Sequence, residues 1–184
     1  MGSSGFPESL TFAVAGPEDV AELVALHRAV LVEGEWFITT AREFVGGLDS
    51  KMRQVRDFAR ASNSLFLVAR RGDRIGGFLT LHGGQLERLR HVAHLEMMVH
   101  AGFRGQGVGA ALLERALGWA IANPELAKIS LSVFASNERA IALYRKAGFL
   151  EEGRRSREYR LADGTWRDDL LMFRFVDGDS VMNS

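Results

Sequence analysis

Val99-His100-Ala101-Gly102-Phe103-Arg104-Gly105-Gln106-Gly107-Val108-Gly109-Ala110 is the stretch from which the rest of the chain can be read. An extended run over residues 91–100 enters it, and a helix over about 107–122, closed by Asn123-Pro124, leaves it. Glycine lets the backbone take unusual dihedrals and come close to a ligand. The first amides of a helix lack partners within it and carry about half a positive charge. A strand, a glycine turn and a helix start in this order make a phosphate site. The plain alternative is a glycine-rich connector that binds nothing.

Two other phosphate motifs compete for the same residues. A P-loop needs Gly-Lys-Ser/Thr at the helix start, and here Val108 follows Gly107. The looser dinucleotide fingerprint G-x-G-x-x-A is met by Gly105, Gly107 and Ala110. It also needs an acidic residue about 20 positions on, at the end of the next strand. That strand ends at Phe134-Ala135-Ser136-Asn137 with Glu138 beyond it, so the acid comes late. A dinucleotide-dependent oxidoreductase is therefore the weaker reading.

Working outward, residues 10–15 form a short apolar run stopped by Gly16-Pro17, and Pro17, Glu18 and Asp19 suit the first turn of a helix. Val20, Leu23, Val24, Leu26, Val30 and Leu31 then recur at helical spacing. Residues 33–40 read as a loop, and 41–61 as helical with a break at Gly46-Gly47. Strands over 65–70 and 75–82 flank the Gly72-Asp73 turn. Beyond the glycine segment and its helix come a strand over 129–134 and a helix over 137–147 stopped by Gly148. A hairpin of 150–161 and 165–176 turns at Asp163-Gly164. This order predicts an α/β fold with an α+β-type mixed sheet. One domain spans 10–176, between a leader (1–9) and a polar tail (177–184) expected to be loose.

Composition narrows the function classes. The 184 residues carry 23 Lys+Arg and 23 Asp+Glu, so nothing in the overall charge favours nucleic acid as partner. There is no cysteine, which excludes disulfides, thiol nucleophiles and thiolate metal sites and fits a cytoplasmic location. No apolar run approaches the roughly 20 residues of a membrane span. His82, His91, His94 and His100 lack a metal-binding spacing, and His91 and His94 fall on opposite strand faces, so no metal is expected.

Arg104-Gly105-Gln106-Gly107-Val108-Gly109 fits the signature Arg/Gln-x-x-Gly-x-Gly/Ala. Asn137, Tyr144, Gly148 and Phe149 fit a second pattern: a strand, an Asn, a helix with Tyr seven residues on, then Gly-Phe. In both, the chain resembles the GNAT superfamily of acyl-CoA-dependent N-acyltransferases. The resemblance implies a central, mostly antiparallel sheet of about seven strands, splayed in the middle and flanked by four or five helices. It implies acetyl-CoA as cosubstrate and a small-molecule amine, an amino acid or a relative, as acceptor. Protein N-termini are the alternative acceptor, and a non-catalytic CoA-binding module the alternative of another kind. A homodimer follows by family analogy only.

The resemblance also assigns residues. The backbone of Met97, Met98 and Val99 would pair with the pantetheine arm. The amides of Gly105, Gln106, Gly107, Val108, Gly109 and Ala110 would hold the diphosphate, with Arg104 adding charge or capping the loop. Asn137 would bond the coenzyme arm, and it is equally a good helix N-cap. Tyr144, a phenol with pKa near 10, would hydrogen-bond to or protonate the departing thiolate. Glu35, Trp36, Phe37 and His94 would line the acceptor pocket.

The acceptor must also lose a proton. An alkyl amine of pKa about 10.4 is neutral in only about 1 molecule in 2,500 at pH 7, a cost of roughly 4–5 kcal/mol. Glu96 and His94 lie two apart on one face of the strand entering the site. Glu96 is the first candidate acceptor of that proton and His94 the second. Arg154, Arg155, Arg157 and Arg160 oppose Arg167, Asp168 and Asp169 across the hairpin and predict cross-strand salt links.

Overall fold

The computed structural model describes residues 9–34, 36–45 and 47–177. Its elements in chain order are β1 (Leu10–Val14), a 3-10 turn (Pro17–Asp19), α1 (Val20–Val32), α2 (Leu48–Arg60), β2 (Leu65–Arg71), β3 (Arg74–Gly83) and β4 (Val92–Val99). Then follow α3 (Val108–Ala122), β5 (Lys128–Phe134), α4 (Glu138–Lys146), β6 (Leu150–Arg160) and β7 (Trp166–Phe175). The seven strands form one sheet in the order β1-β2-β3-β4-β5-β7-β6. Every neighbouring pair is antiparallel except β4 and β5. That parallel pair joins only Val92–Lys128, Ala93–Ile129 and His94–Ser130, after which the two strands part. β4 stays paired with β3 out to Val99. The splayed mixed sheet inferred from the motifs is the one observed.

The period-2 alternation of the strands divides the core. Leu65, Leu67, Leu79, Leu81, Ala93, Leu95, Ile129, Leu131, Leu170 and Met172 face α3 and α4. Phe66, Val68, Phe78 and Met98 face α1 and α2. On that second side, α1 packs on β3 and β4 and α2 on β2. The same face of β5 and β7 presents Ser132 and Asp169 to a cleft.

Two expectations need correction. Residues 41–43 form a turn, and the helix starts only at Leu48. Thr40 and Glu43 close that turn: the Thr40 N–H and hydroxyl both donate to Glu43 Oε2, at 2.9 and 2.8 Å. A short segment with little beyond Phe44 to bury gains too little to propagate a helix. Gly46 lies outside the described residues, as do 1–8 of the leader and 178–184 of the tail.

The hairpin forms as predicted, but its salt links are fewer. Arg154 pairs with Asp168 and Arg155 with Asp169, each at 3.5 Å. Arg157 sits at φ +54 in a register irregularity, where its N–H donates to Asp168 Oδ1. Arg160 instead stacks over Trp166, and Arg167 donates to Thr165 Oγ1. The bulge breaks the one-to-one register that would bring every Arg opposite an acid. Among the described residues no helix is long and apolar enough to cross a membrane.

Candidate active site

The parting of β4 and β5 opens a cleft of about 800 Å³. From Leu95 to Val99, β4 has no partner on its β5 side, so that edge offers a row of main-chain donors and acceptors. An extended chain can add there as a strand does. Met98 is buried against the α1/α2 side, Met97 and Val99 pack toward α3, and all three line the cleft.

The glycine segment follows directly. A short 3-10 turn (Ala101–Phe103) precedes Gly105 and Gly107, both left-handed at φ +77 and +79. Gly107 is the N-cap of α3. A Cβ added at either glycine would meet nothing within 4 Å, so both face open space rather than packed atoms. At Gly109 it would lie 3.6 Å from Leu143 and Met97, in ordinary contact. The geometry is a helix N-terminus with an uncovered approach, which suits an anion.

Neighbours hold this turn rigid. The Phe103 ring lies so close over Gly76 of β3 that a Cβ there would fall 2.2 Å from it. Gln106 donates to Gly102 O and so turns back on the loop; it is not among the cleft-lining residues. Arg104 donates through Nε to Val99 O at 2.9 Å and forks onto Glu33 at 2.6 and 2.9 Å. In this arrangement it caps the loop and ties it to the end of α1.

Asn137 performs the N-cap role read from its position: its Oδ1 accepts from Ala140 N at 3.2 Å. It also lines the cleft, as do Ala140, Leu143 and Tyr144 of α4. Tyr144 is buried against Phe149, and burial pushes its phenol up to about 12. It therefore stays protonated through the physiological range.

The cleft is also walled by Trp36, Phe37 and Ile38 and floored by His94 and Glu96. Glu35 lies outside the described residues. His94 Nδ1 is 3.4 Å from the Ser130 hydroxyl. Behind the floor, Lys51 of α2 is only 6% exposed. Its ammonium donates to Gln54 at 2.7 Å and lies 3.4 Å from His27 Nδ1. Burial pulls the Lys51 pKa down, and the Glu96 charge opposes that shift. Burial, then the Lys51 charge, lower His27 to about 4, so the imidazole that reaches the cleft is neutral.

Five polar cleft residues are not given by the sequence reading: His27, Thr39, Ser132, Arg139 and Asp169. His27 shares the apolar stripe of α1 with Leu23 and Val30, and a polar residue on that stripe is the signal that was available. Asp169 was read only as a salt-link partner, although alternation along β7 puts it on the face of Leu171 and Phe173. Among the described residues no group of three or more His, Asp or Glu side chains is placed to hold a metal ion.

A family model for the Acetyltransferase (GNAT) family matches residues 34–149. The L-amino acid N-acetyltransferase AaaT of Escherichia coli K12 is 33% identical over 98 residues, covering 53% of this chain and 60% of that protein. The spermidine N(1)-acetyltransferase of Vibrio cholerae is 28% identical over 89 residues, covering 48% and 51%. The matches thus span little more than half the length of these curated relatives. The crystal structure of a GNAT-family acetyltransferase from Streptococcus pneumoniae superposes with TM-score 0.87 at 28% identity, covering 92% of this chain and all of that one.

Proposed function

Because the chain belongs to the GNAT family of acetyltransferases, we propose that it moves an acetyl group from acetyl-CoA to the primary amine of a small molecule by direct attack on the thioester. The observation that carries this reading is the junction of an unpaired β4 edge with two left-handed glycines whose open side faces the cleft. That junction fits a long ligand with an amide-rich arm and a diphosphate. Bound acetyl-CoA supplies the activated acyl group. The chain's own residues then hold, orient and move protons.

In this reading residues 105–110 hold the diphosphate through their amides, and residues 95–99 align the arm. Arg104, already paired with Glu33, acts by fixing the loop. Asn137 shapes the start of α4 and sets the direction of Tyr144. The Tyr144 phenol, near 12, is a weaker acid than a thiol of pKa about 8.5. Outright proton transfer to a thiolate would run uphill by several kcal/mol, so Tyr144 stabilises the departing sulfur by donating a hydrogen bond. Glu96 takes the amine's proton from the cleft floor, with His94 beside it. Trp36 and Phe37 close the acceptor end and thin the water there.

Two curated relatives are named for L-amino acids and for spermidine, and both acceptor types suit a cleft of this size. Protein N-termini are the alternative. The absence of cysteine supports a reducing, cytoplasmic setting, and a homodimer rests on family analogy.

The test is thiol release from acetyl-CoA with a panel of amino acids and polyamines, beside thermal shifts with acetyl-CoA and NAD. The proposal expects a higher melting temperature with acetyl-CoA alone and release stimulated by at least one amine. Tight CoA binding with no amine-dependent release would leave a binding module instead.

A further inference from the structure

Beyond Glu96, the cleft has a second carboxylate, on the other side of the splay. Asp169 of β7 lies opposite Phe134 of β5, and both line the cleft. It is 1% exposed, and its Oδ2 accepts no hydrogen bond. The nearest cation is Arg155 of β6, 3.5 Å from that oxygen. Arg155 is itself 53% exposed and is shared with Glu158 at 3.6 Å. One guanidinium therefore stands against two carboxylates, and the cluster keeps a net negative charge. A buried carboxylate oxygen without a hydrogen bond is costly and persists where something else satisfies it. Burial raises the Asp169 pKa, Ser132 and Tyr159 oppose this by hydrogen bonding, Arg155 opposes it by charge and Glu158 adds to it. The wall thus suits a cationic donor: of the two guanidinium groups that line the cleft, Arg104 is held by Glu33 at the glycine loop and Arg139 is an exposed side chain of α4.

We propose that Asp169 is an ammonium-binding residue of the acceptor site, facing Glu96 across the splay and selecting alkylammonium acceptors over uncharged amines. The inference rests on the acetyltransferase reading and adds the charge class of the acceptor to it. Glu96 and Asp169 then divide the work: one takes the proton of the reacting amine, the other seats positive charge on the acceptor. Arg155 competes with the acceptor for the same oxygen and sets how tightly it is held.

The experiment is titration of 1,4-diaminobutane, and of aniline, which is uncharged at pH 7, into the full chain saturated with CoA. Wild type should bind the diamine more tightly than aniline. Asp169→Asn should weaken the diamine roughly tenfold or more while leaving CoA affinity and aniline unchanged. Arg155→Gln, on an exposed side chain with little risk to folding, should act in the opposite direction and tighten the diamine severalfold. Failure of the diamine to bind wild type overturns the inference. So does equal diamine affinity in a folded, CoA-binding Asp169→Asn protein, or an Arg155→Gln protein that binds it no better. If Asp169→Asn does not fold, the Arg155→Gln result decides. Loss of CoA binding in wild type would instead sink the acetyltransferase reading, so the two failures are distinguishable.

Discussion

Replacing Gly107 by Ala separates the conformational role of the glycine turn from its binding role. Gly107 holds φ +79, and a methyl group there meets no atom within 4 Å. The folded state therefore loses only backbone strain, roughly 1–2 kcal/mol for a residue with a Cβ in the left-handed region. For a chain of this length, each kcal/mol moves the melting temperature by about 2–4 °C, so Gly107→Ala should melt about 2–8 °C below wild type. Gly118, inside α3 and also open around its Cβ, has no positive φ. There an alanine should add about 0.5–1 kcal/mol of stability and raise the melting temperature by about 1–4 °C. The coenzyme adds a second contrast. The Gly107 methyl group points into the space assigned to the diphosphate. Displacing one charge-assisted N–H bond costs about 1.5–3 kcal/mol, so acetyl-CoA affinity should fall roughly tenfold to hundredfold; at Gly118 it should not change. Calorimetric melts of the free protein and titrations with acetyl-CoA give both quantities. Wild-type affinity in a Gly107→Ala protein that has lost the expected stability would refute the placement of the diphosphate.

Three further outcomes follow from the site. Tyr144→Phe should lower kcat by about tenfold to hundredfold, the value of one hydrogen bond to a charged sulfur, with acetyl-CoA affinity retained; an unchanged kcat across pH would remove Tyr144 from the reaction. Glu96→Gln should cut kcat/KM for the amine by roughly a hundredfold at neutral pH and recover as pH rises and the free amine becomes abundant; a constant deficit across pH would assign Glu96 another role. His27 has a folded pKa of about 4 against the ordinary 6.5, so the unfolded chain binds the proton more readily. Its contribution is complete above pH 6.5 and is lost as pH falls toward 4. At about 1.4 kcal/mol per pKa unit, discounted for partial exposure, it amounts to on the order of 2 kcal/mol. His27→Phe should flatten the melting temperature between pH 7 and pH 4.5 relative to wild type, and identical pH profiles would contradict the burial argument.

The order of elements around the site is readable in the sequence because its signals are local. Glycines at 105 and 107 between a strand and a helix, Asn137 before α4, Gly148 after it and Asp163-Gly164 in the hairpin each act within a few residues. Where the outcome depended on distant partners, the reading fell short. For Arg104 the sequence leaves open a charge at the phosphates or a cap on the loop, and the pairing with Glu33, 71 positions away, is not visible in it. Asp169 looked like a surface salt-link residue because sheet order, not spacing, puts β7 beside β5 and turns that carboxylate toward the cleft. Lys51 gave no hint of burial, since only the packing of α2 on the sheet encloses it between His27 and the rings of Phe66 and Phe78.

Amide NMR of the isotopically labelled protein during titration with acetyl-CoA tests the central claim most directly. The backbone N–H signals of Gly105, Gly107, Val108 and Gly109 should shift together and saturate with the coenzyme, and pantetheine, which lacks the diphosphate, should leave them in place while still moving residues 95–99. Saturation with those four signals unmoved would show that the coenzyme's diphosphate is held elsewhere.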